Sequence, residues 1–127
     1  MAAIEQKLDQ QHRLFAELWI SFVALIRSYV AAHDLAKPLS DHASVDDRKA
    51  GRLTLRGERK TLTLEFDEMT GAGSWTIYED DLASERVLER GKFRMTEDSQ
   101  VSLSDRMGKL EMEVAAEAFT SKVLDEE

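Results

Sequence analysis

The sequence predicts an α+β protein: a long N-terminal helix packed on an antiparallel β-meander of about five or six strands, with a C-terminal helix. Three observations support this fold class. Apolar residues recur every three or four positions through the first thirty-odd residues, which is the period of an amphipathic helix. From residue 51 onward apolar and polar residues alternate, as they do in half-buried strands. The last segment is rich in Ala and Glu, which favours a helix.

The first helix is expected over about residues 3–35. No Gly or Pro interrupts it before Pro38, which cannot continue a helix because it lacks an N–H and restricts the preceding residue. Its apolar stripe is broad, so we expect part of it to lie on the sheet and part against a second copy. The candidate interface residues are Phe15, Leu18, Trp19, Phe22 and Ile26. The alternative is a helix buried wholly within one copy.

The same helix is apolar enough to raise the question of a membrane span. Residues 14–32 form a stretch of nineteen, which is nominally long enough for a bilayer. However, Glu17 and Arg27 lie inside this stretch, and a charge within hydrocarbon is costly. The preceding residues mix acids and bases, unlike a secretory signal. We therefore expect a soluble helix and no association with a membrane.

A sheet is predicted over about residues 51–114, after a polar connection over residues 34–49. Alternation over residues 52–56 and again over 61–66, on either side of Gly57, is the clearest hairpin signal in the chain. A third strand follows the glycine-containing turn after it, so we expect an antiparallel meander with one face on a core. The large apolar residues expected to face the first helix are Leu62, Leu64, Phe66, Trp75 and Ile77.

Residues 80–91 break this alternation. Two aspartates could cap a helix there and Gly91 could end it in the left-handed conformation, so we expect a short helix. A bulged strand from Arg86 to Met95 is the alternative. After a second hairpin, the terminal helix is expected over about residues 114–124, where it would bury Phe119.

Composition limits the functions that are open to the chain. Its 127 residues suit a single domain, residues 1–127, that can bury a core without covalent cross-links. The absence of cysteine excludes disulfides, thiolate zinc sites and cysteine nucleophiles. No phosphate loop, dinucleotide fingerprint or serine-nucleophile motif occurs. We expect a cytoplasmic protein, with which an acidic cysteine-free composition is compatible, and no cofactor.

Histidines and paired carboxylates are the remaining candidates for chemistry. His33 and His42, with Asp46 and Asp47, could supply nitrogen and oxygen ligands to a divalent ion. Their spacing matches none of the short metal-binding motifs. The adjacent acidic pairs of the chain fall in expected turns, caps or the tail, where solvent keeps carboxylates from being tuned for acid–base work. We therefore predict no metal site and no catalytic residue.

The charge of the chain is unevenly distributed. The formal net charge is −8, yet residues 48–60 carry six basic residues against one acidic residue. Nucleic acid could use this basic hairpin for phosphate contacts, but stacking aromatics are missing from it and the acidic remainder would repel a polyanion. Docking on an acidic patch of a protein partner or second copy is the other interpretation. The candidate contact residues are Arg52, Arg56, Arg59 and Lys60.

The order of elements, the size and the acidity are similar to those of the small secretion chaperones of bacteria, which bind unfolded effector segments as dimers. This resemblance implies a chaperone-like or regulatory role and transfers no residue. We therefore expect a non-catalytic, acidic protein-interaction module acting as a homodimer. Two alternatives stay open. One is a small-ligand or enzymatic pocket between helix and sheet, with Trp75, Tyr78 or His33 facing it. The other is a nucleic-acid-binding accessory protein that uses residues 48–60.

Overall fold

A computed structural model describes the backbone of residues 2–80, 85–103 and 108–124, and the side chains of residues 10–79, 85–103 and 108–124. Two helices, α1 (Ala2–Asp34) and α2 (Met112–Leu124), pack on one face of a curled antiparallel sheet. The predicted α+β fold is confirmed, with seven strands in the described ranges instead of five or six. The strands are β1 (Ser44–Asp46), β2 (Arg52–Arg56), β3 (Lys60–Phe66), β4 (Ala72–Asp80), β5 (Glu85–Met95), β6 (Gln100–Leu103) and β7 (Lys109–Glu111).

The sheet is a meander in which each strand pairs with the next one along the chain. Leu64 of β3 lies opposite Trp75 of β4, so the two side chains share a face of the sheet. On the same face, the ring of Phe66 stacks on Trp19 of α1 with 5.2 Å between ring centroids. All five residues that the alternation predicted to face the helix are buried, so that prediction is confirmed.

The apolar side of α1 lies against the sheet and α2, inside a single copy of the chain. The ring of Phe22 packs on Phe93 of β5 and Phe119 of α2, at centroid distances of 6.4 and 6.2 Å. The residues predicted for an interface between copies all have 7% or less of their surface exposed: Phe15, Leu18, Trp19, Phe22 and Ile26. They form the core of one copy, so a contact with a second copy has to use other residues.

The connection after α1 is more ordered than predicted. Residues 34–49, expected as a polar connection, contain a 3₁₀ turn at Leu39–Asp41 and the strand β1. The outer edge of β1 is covered by Arg27 of α1, which donates hydrogen bonds to the Val45 carbonyl at 3.5 Å and the Asp47 carboxylate at 2.5 Å. A strand of three residues has too few alternating positions to be recognised from its sequence.

The short helix predicted for residues 80–91 is wrong where the structure describes it, because Glu85 begins β5; residues 81–84 lie outside the described residues. The pairing of β5 with β4 skips Leu88, which forms a β-bulge. The alternative interpretation, a bulged strand, is therefore the correct one. Gly91, predicted to end a helix, lies within the strand.

The terminal helix begins at Met112, two residues earlier than predicted, directly after β7. Phe119 is buried in it, as expected.

By length and composition alone, the segment Gln10–Asp34 of α1 is able to cross a membrane, a test that the core helix of a soluble protein also passes. In this fold, Phe22 and Ile26 of that segment are fully buried against the protein.

Candidate functional site

A cavity of about 350 Å³ lies where the C-terminal ends of α1 and α2 meet the turn between β2 and β3. His33 and Asp34 contribute from α1, Arg59 from the turn and Lys60 from the start of β3. Asp34 is buried; one carboxylate oxygen accepts a hydrogen bond from the Ala43 amide at 3.0 Å and the other lies 3.4 Å from His33 Nδ1. The cavity is at the end of the helices, so it differs from the pocket between helix and sheet considered from the sequence.

Among the described residues, the wall of the cavity holds an imidazole but no hydroxyl or thiol group beside it. Asp34 is placed to orient the imidazole of His33, which could serve as an acid or a base. The described residues that line the cavity include no Ser, Thr, Tyr or Cys for the imidazole to activate. Cationic and anionic side chains are interspersed in the wall, so charge selects no class of ligand. They are Lys37, Arg59 and Lys60 against Asp34, Asp41, Glu58 and Glu79.

The residues considered as metal ligands are each bound to other groups. His42 Nε2 donates a hydrogen bond to the Lys37 carbonyl at 2.9 Å. The carboxylate of Asp46 accepts from the Arg48 side chain at 2.9 and 3.1 Å, and these bonds lower the pKa of Asp46 to about 2. Asp47 pairs with an arginine of α1. Within the described residues no group of three His, Asp or Glu side chains is placed to hold a metal ion.

The four residues of the basic hairpin are divided between two surfaces. Arg59 and Lys60 line the cavity. Arg52 and Arg56 are exposed on the outer face of the sheet, the face turned away from both helices, because the leucines that alternate with them are buried on the inner face. The sequence placed Arg52 and Arg56 on the solvent side of the strand correctly, but it grouped residues that the fold separates.

The outer face of the sheet carries more positive charge than the basic hairpin alone. On β5, Arg90, Lys92 and Arg94 occupy successive outward positions about 6.7 Å apart. The cations that the register places on this face, among the described residues, are Arg52, Arg56, Arg90, Lys92, Arg94 and Lys109. The described carboxylates that the register places there are Asp46, Glu65, Glu85 and Glu111. This basic outer face belongs to a chain whose net charge is −8.

Among the described strands, only β4 pairs with Glu85–Gly91 of β5, and we call the other side of this run the open edge of β5. The printed pairs of β6 with β5 are at Phe93–Met95, so no strand in the described part of the chain pairs with Glu85–Gly91 on the side away from β4. The apolar side chains of Val87 and Leu88 are 55% and 38% exposed there. By contrast, β1 is short and covered by Arg27, and β7 is short and leads into α2. Judged by the described residues alone, the edge of β5 over Glu85–Gly91 therefore offers main-chain N–H and C=O groups to another strand.

Sequence reasoning missed both the open edge and the extent of the basic outer face. One signal was present: Arg90, Lys92 and Arg94 alternate with Phe93 and Met95, as the two faces of a strand require.

Comparisons with protein-family models, curated proteins and solved structures give no match. The similarity to secretion chaperones stays an expectation from element order, size and acidity.

Proposed function

We propose that the protein is a non-catalytic interaction module that binds an extended segment of another protein as an added strand on the open edge of β5. The observation that supports this proposal is the run Glu85–Gly91, which, within the described residues, pairs with β4 alone. Main-chain hydrogen bonds to an added strand give affinity, and side-chain contacts give specificity. The exposed Val87 and Leu88 add apolar contact area at the middle of the edge.

We propose that the homodimer expected from the sequence forms through a different surface, namely the side of α1 that is turned away from the sheet. Ile20 is a large apolar side chain of this helix and is 67% exposed. It borders a groove of about 370 Å³ between α1 and the connection from β1 to β2, which Val23 and Ala24 also line. A two-fold contact there would leave the open edge of β5 available in each copy.

Strand addition is tested with a labelled ten-residue peptide of alternating Val and Thr. Its binding should slow the hydrogen exchange of the main-chain amides of residues 85–92, because those amides become hydrogen-bonded. The double substitution Val87→Lys and Leu88→Lys should weaken binding at least about tenfold, since charges on an edge strand oppose pairing. The matched control is Val114→Lys, which changes a similarly exposed valine on α2 and should leave affinity unchanged.

Two results would contradict the proposal. One is slowed exchange confined to amides outside residues 85–92. The other is affinity that survives the double substitution at the edge. Circular dichroism of both variants checks that the fold is retained, because the substituted side chains are at the surface.

A further inference from the structure

The open edge of β5 has an order of residues that is complementary to itself. Read from Glu85 to Arg90, the order is Glu-Arg-Val-Leu-Glu-Arg. In a two-fold antiparallel pairing of two copies, residues that are equally far from the axis lie opposite one another. With the axis between Val87 and Leu88, Glu85 of one copy lies opposite Arg90 of the other. The two apolar residues of each copy then meet at the centre of the contact.

The β-bulge at Leu88 brings the paired charges onto the same face of the sheet. In a regular strand the side chains alternate, so residues five positions apart point to opposite faces. The pairing with β4 skips Leu88, and Glu85 and Arg90 consequently both point to the outer face. For the same reason Arg86 and Glu89, three positions apart, both point to the inner face. The bulge therefore lets every charge of the run lie opposite its complement in a second copy.

The outer pair contributes most to this complementarity. Glu85 and Arg90 are both exposed, and among the described residues neither forms an ion pair. On the inner face, Glu89 already accepts hydrogen bonds from Lys122 at 2.9 and 3.1 Å, and Arg86 lies 4.0 Å from a carboxylate of β4. A second copy would share the inner charges with these contacts, whereas it would give each outer charge a partner of opposite sign.

We infer that, when no other strand is bound, the open edges of two copies pair with each other about a two-fold axis between Val87 and Leu88. This inference rests on the same open edge as the proposed function, and it makes a second copy the competitor of the bound segment. The paired run ends at Arg90, before Phe93, where the pairing with β6 begins. Because the contact is small, we expect it at roughly hundreds of micromolar, well above the concentration at which the contact through Ile20 forms.

The competing interpretation is that these charges guard the edge. Natural proteins often place charged residues on edge strands to prevent pairing with another copy. Such protection works by setting like charges opposite one another, which destabilises a strand pair. In the register centred between Val87 and Leu88, opposite charges meet instead, so the order of the run favours pairing.

The test is made in an Ile20→Glu background, which removes the other proposed contact between copies. Sedimentation equilibrium should give the single-chain mass of 14.4 kDa at about 5 µM and approach twice that mass at about 500 µM, because a small contact requires a high concentration. Adding Glu85→Arg alone, or Arg90→Glu alone, should weaken this association at least about tenfold, since each change sets like charges opposite one another. An equimolar mixture of these two variants should associate as the parent does, because every arginine of one chain then lies opposite a glutamate of the other.

The matched control is Arg56→Glu, which makes the same reversal of charge on the outer face, three strands away from β5. It should leave the association unchanged. Equal weakening by Arg56→Glu and Arg90→Glu would show that the general charge of the face acts, and would overturn the inference. Two single variants that fail to restore association when mixed would overturn it as well. Circular dichroism checks that each variant keeps the fold.

The peptide of alternating Val and Thr separates this inference from the proposed function. It should reduce the mass at about 500 µM towards that of one chain, because the peptide and the second copy occupy the same edge. Peptide binding at residues 85–92 without any association of the parent would overturn the inference and leave the proposed function standing. Association that the two mixed variants restore, without any peptide binding, would support self-pairing and overturn the proposed function.

Discussion

The indole ring of Trp75 lies against the backbone of Gly91, its direct partner on the neighbouring strand β5. A Cβ atom on Gly91 would come within 2.8 Å of the ring. From this position the ring packs edge-on against Phe119 of α2, with 5.6 Å between centroids, and Lys122 Nζ lies 5.8 Å from the ring centroid. The absence of a side chain at Gly91 thus lets Trp75 lie across β5 and hold α2 on the sheet.

The substitution Gly91→Ala should lower the free energy of unfolding by about 1–3 kcal/mol, the usual cost of forcing an added methyl group into a packed site. Urea denaturation measures this loss. In a Trp75→Leu background the cost of Gly91→Ala should shrink, because the ring that the methyl group meets is gone. An unchanged midpoint for Gly91→Ala would show that the ring does not rest on this residue.

Leu64 tests the assignment of the inner face of the sheet. It is fully buried, so Leu64→Ala should cost about 2–5 kcal/mol of unfolding free energy through lost apolar burial and the cavity left behind. The matched control is Leu39→Ala, at a side chain that is 86% exposed, which should change stability by no more than about 0.5 kcal/mol. Equal denaturation midpoints for the two variants would reject the burial of Leu64.

Asp46 should titrate below the ordinary range of an aspartate. Hydrogen bonds from the Arg48 side chain, and then from its backbone amide, lower the pKa of Asp46 from 3.8 to about 2. Because the folded-state pKa is the lower one, the stabilisation is present above about pH 4 and is lost as the pH falls towards 2. Both side chains are exposed, so the effect on global stability should be small.

The measurement for Asp46 is an NMR titration of its side-chain carboxyl carbon. In Arg48→Ala the pKa should rise towards 3.8, since both the charge and the side-chain hydrogen bonds are removed. A wild-type value already near 3.8 would mean that the ion pair does not persist in solution.

The homodimer is tested by sedimentation at micromolar concentration, which should return about twice 14.4 kDa. Ile20→Glu should give the single-chain mass, because it places a charge at the centre of the proposed contact. Leu35→Glu changes another exposed apolar residue just beyond α1 and should leave the dimer intact. A wild-type chain that stays at 14.4 kDa across this range would refute the dimer.

The sequence predicted those features of the candidate site that depend on the alternation of residues within a single strand. Alternation placed Arg52 and Arg56 on the solvent side, where they are found. The same alternation did not show that Lys92 lies in the same row as Arg52 across β3 and β4, because that row is created by strand register. Gly91 misled the prediction for a related reason: its role is to accommodate a ring from the adjacent strand, whereas sequence rules treat glycine as a helix end.

By itself, the sequence determined the helix at each end, the antiparallel meander between them and the side of each main strand that is buried. These features follow from periods of 3.6 and 2 residues, which are local properties of a chain. The tertiary structure alone decided that the apolar stripe of α1 is buried within one copy and that cations from distant strands meet on one face. It also decided that, in the described part of the chain, β6 pairs with β5 at Phe93–Met95 and not at Glu85–Gly91. Where each strand ends relative to its neighbour depends on contacts between residues far apart in sequence, and no local period records them.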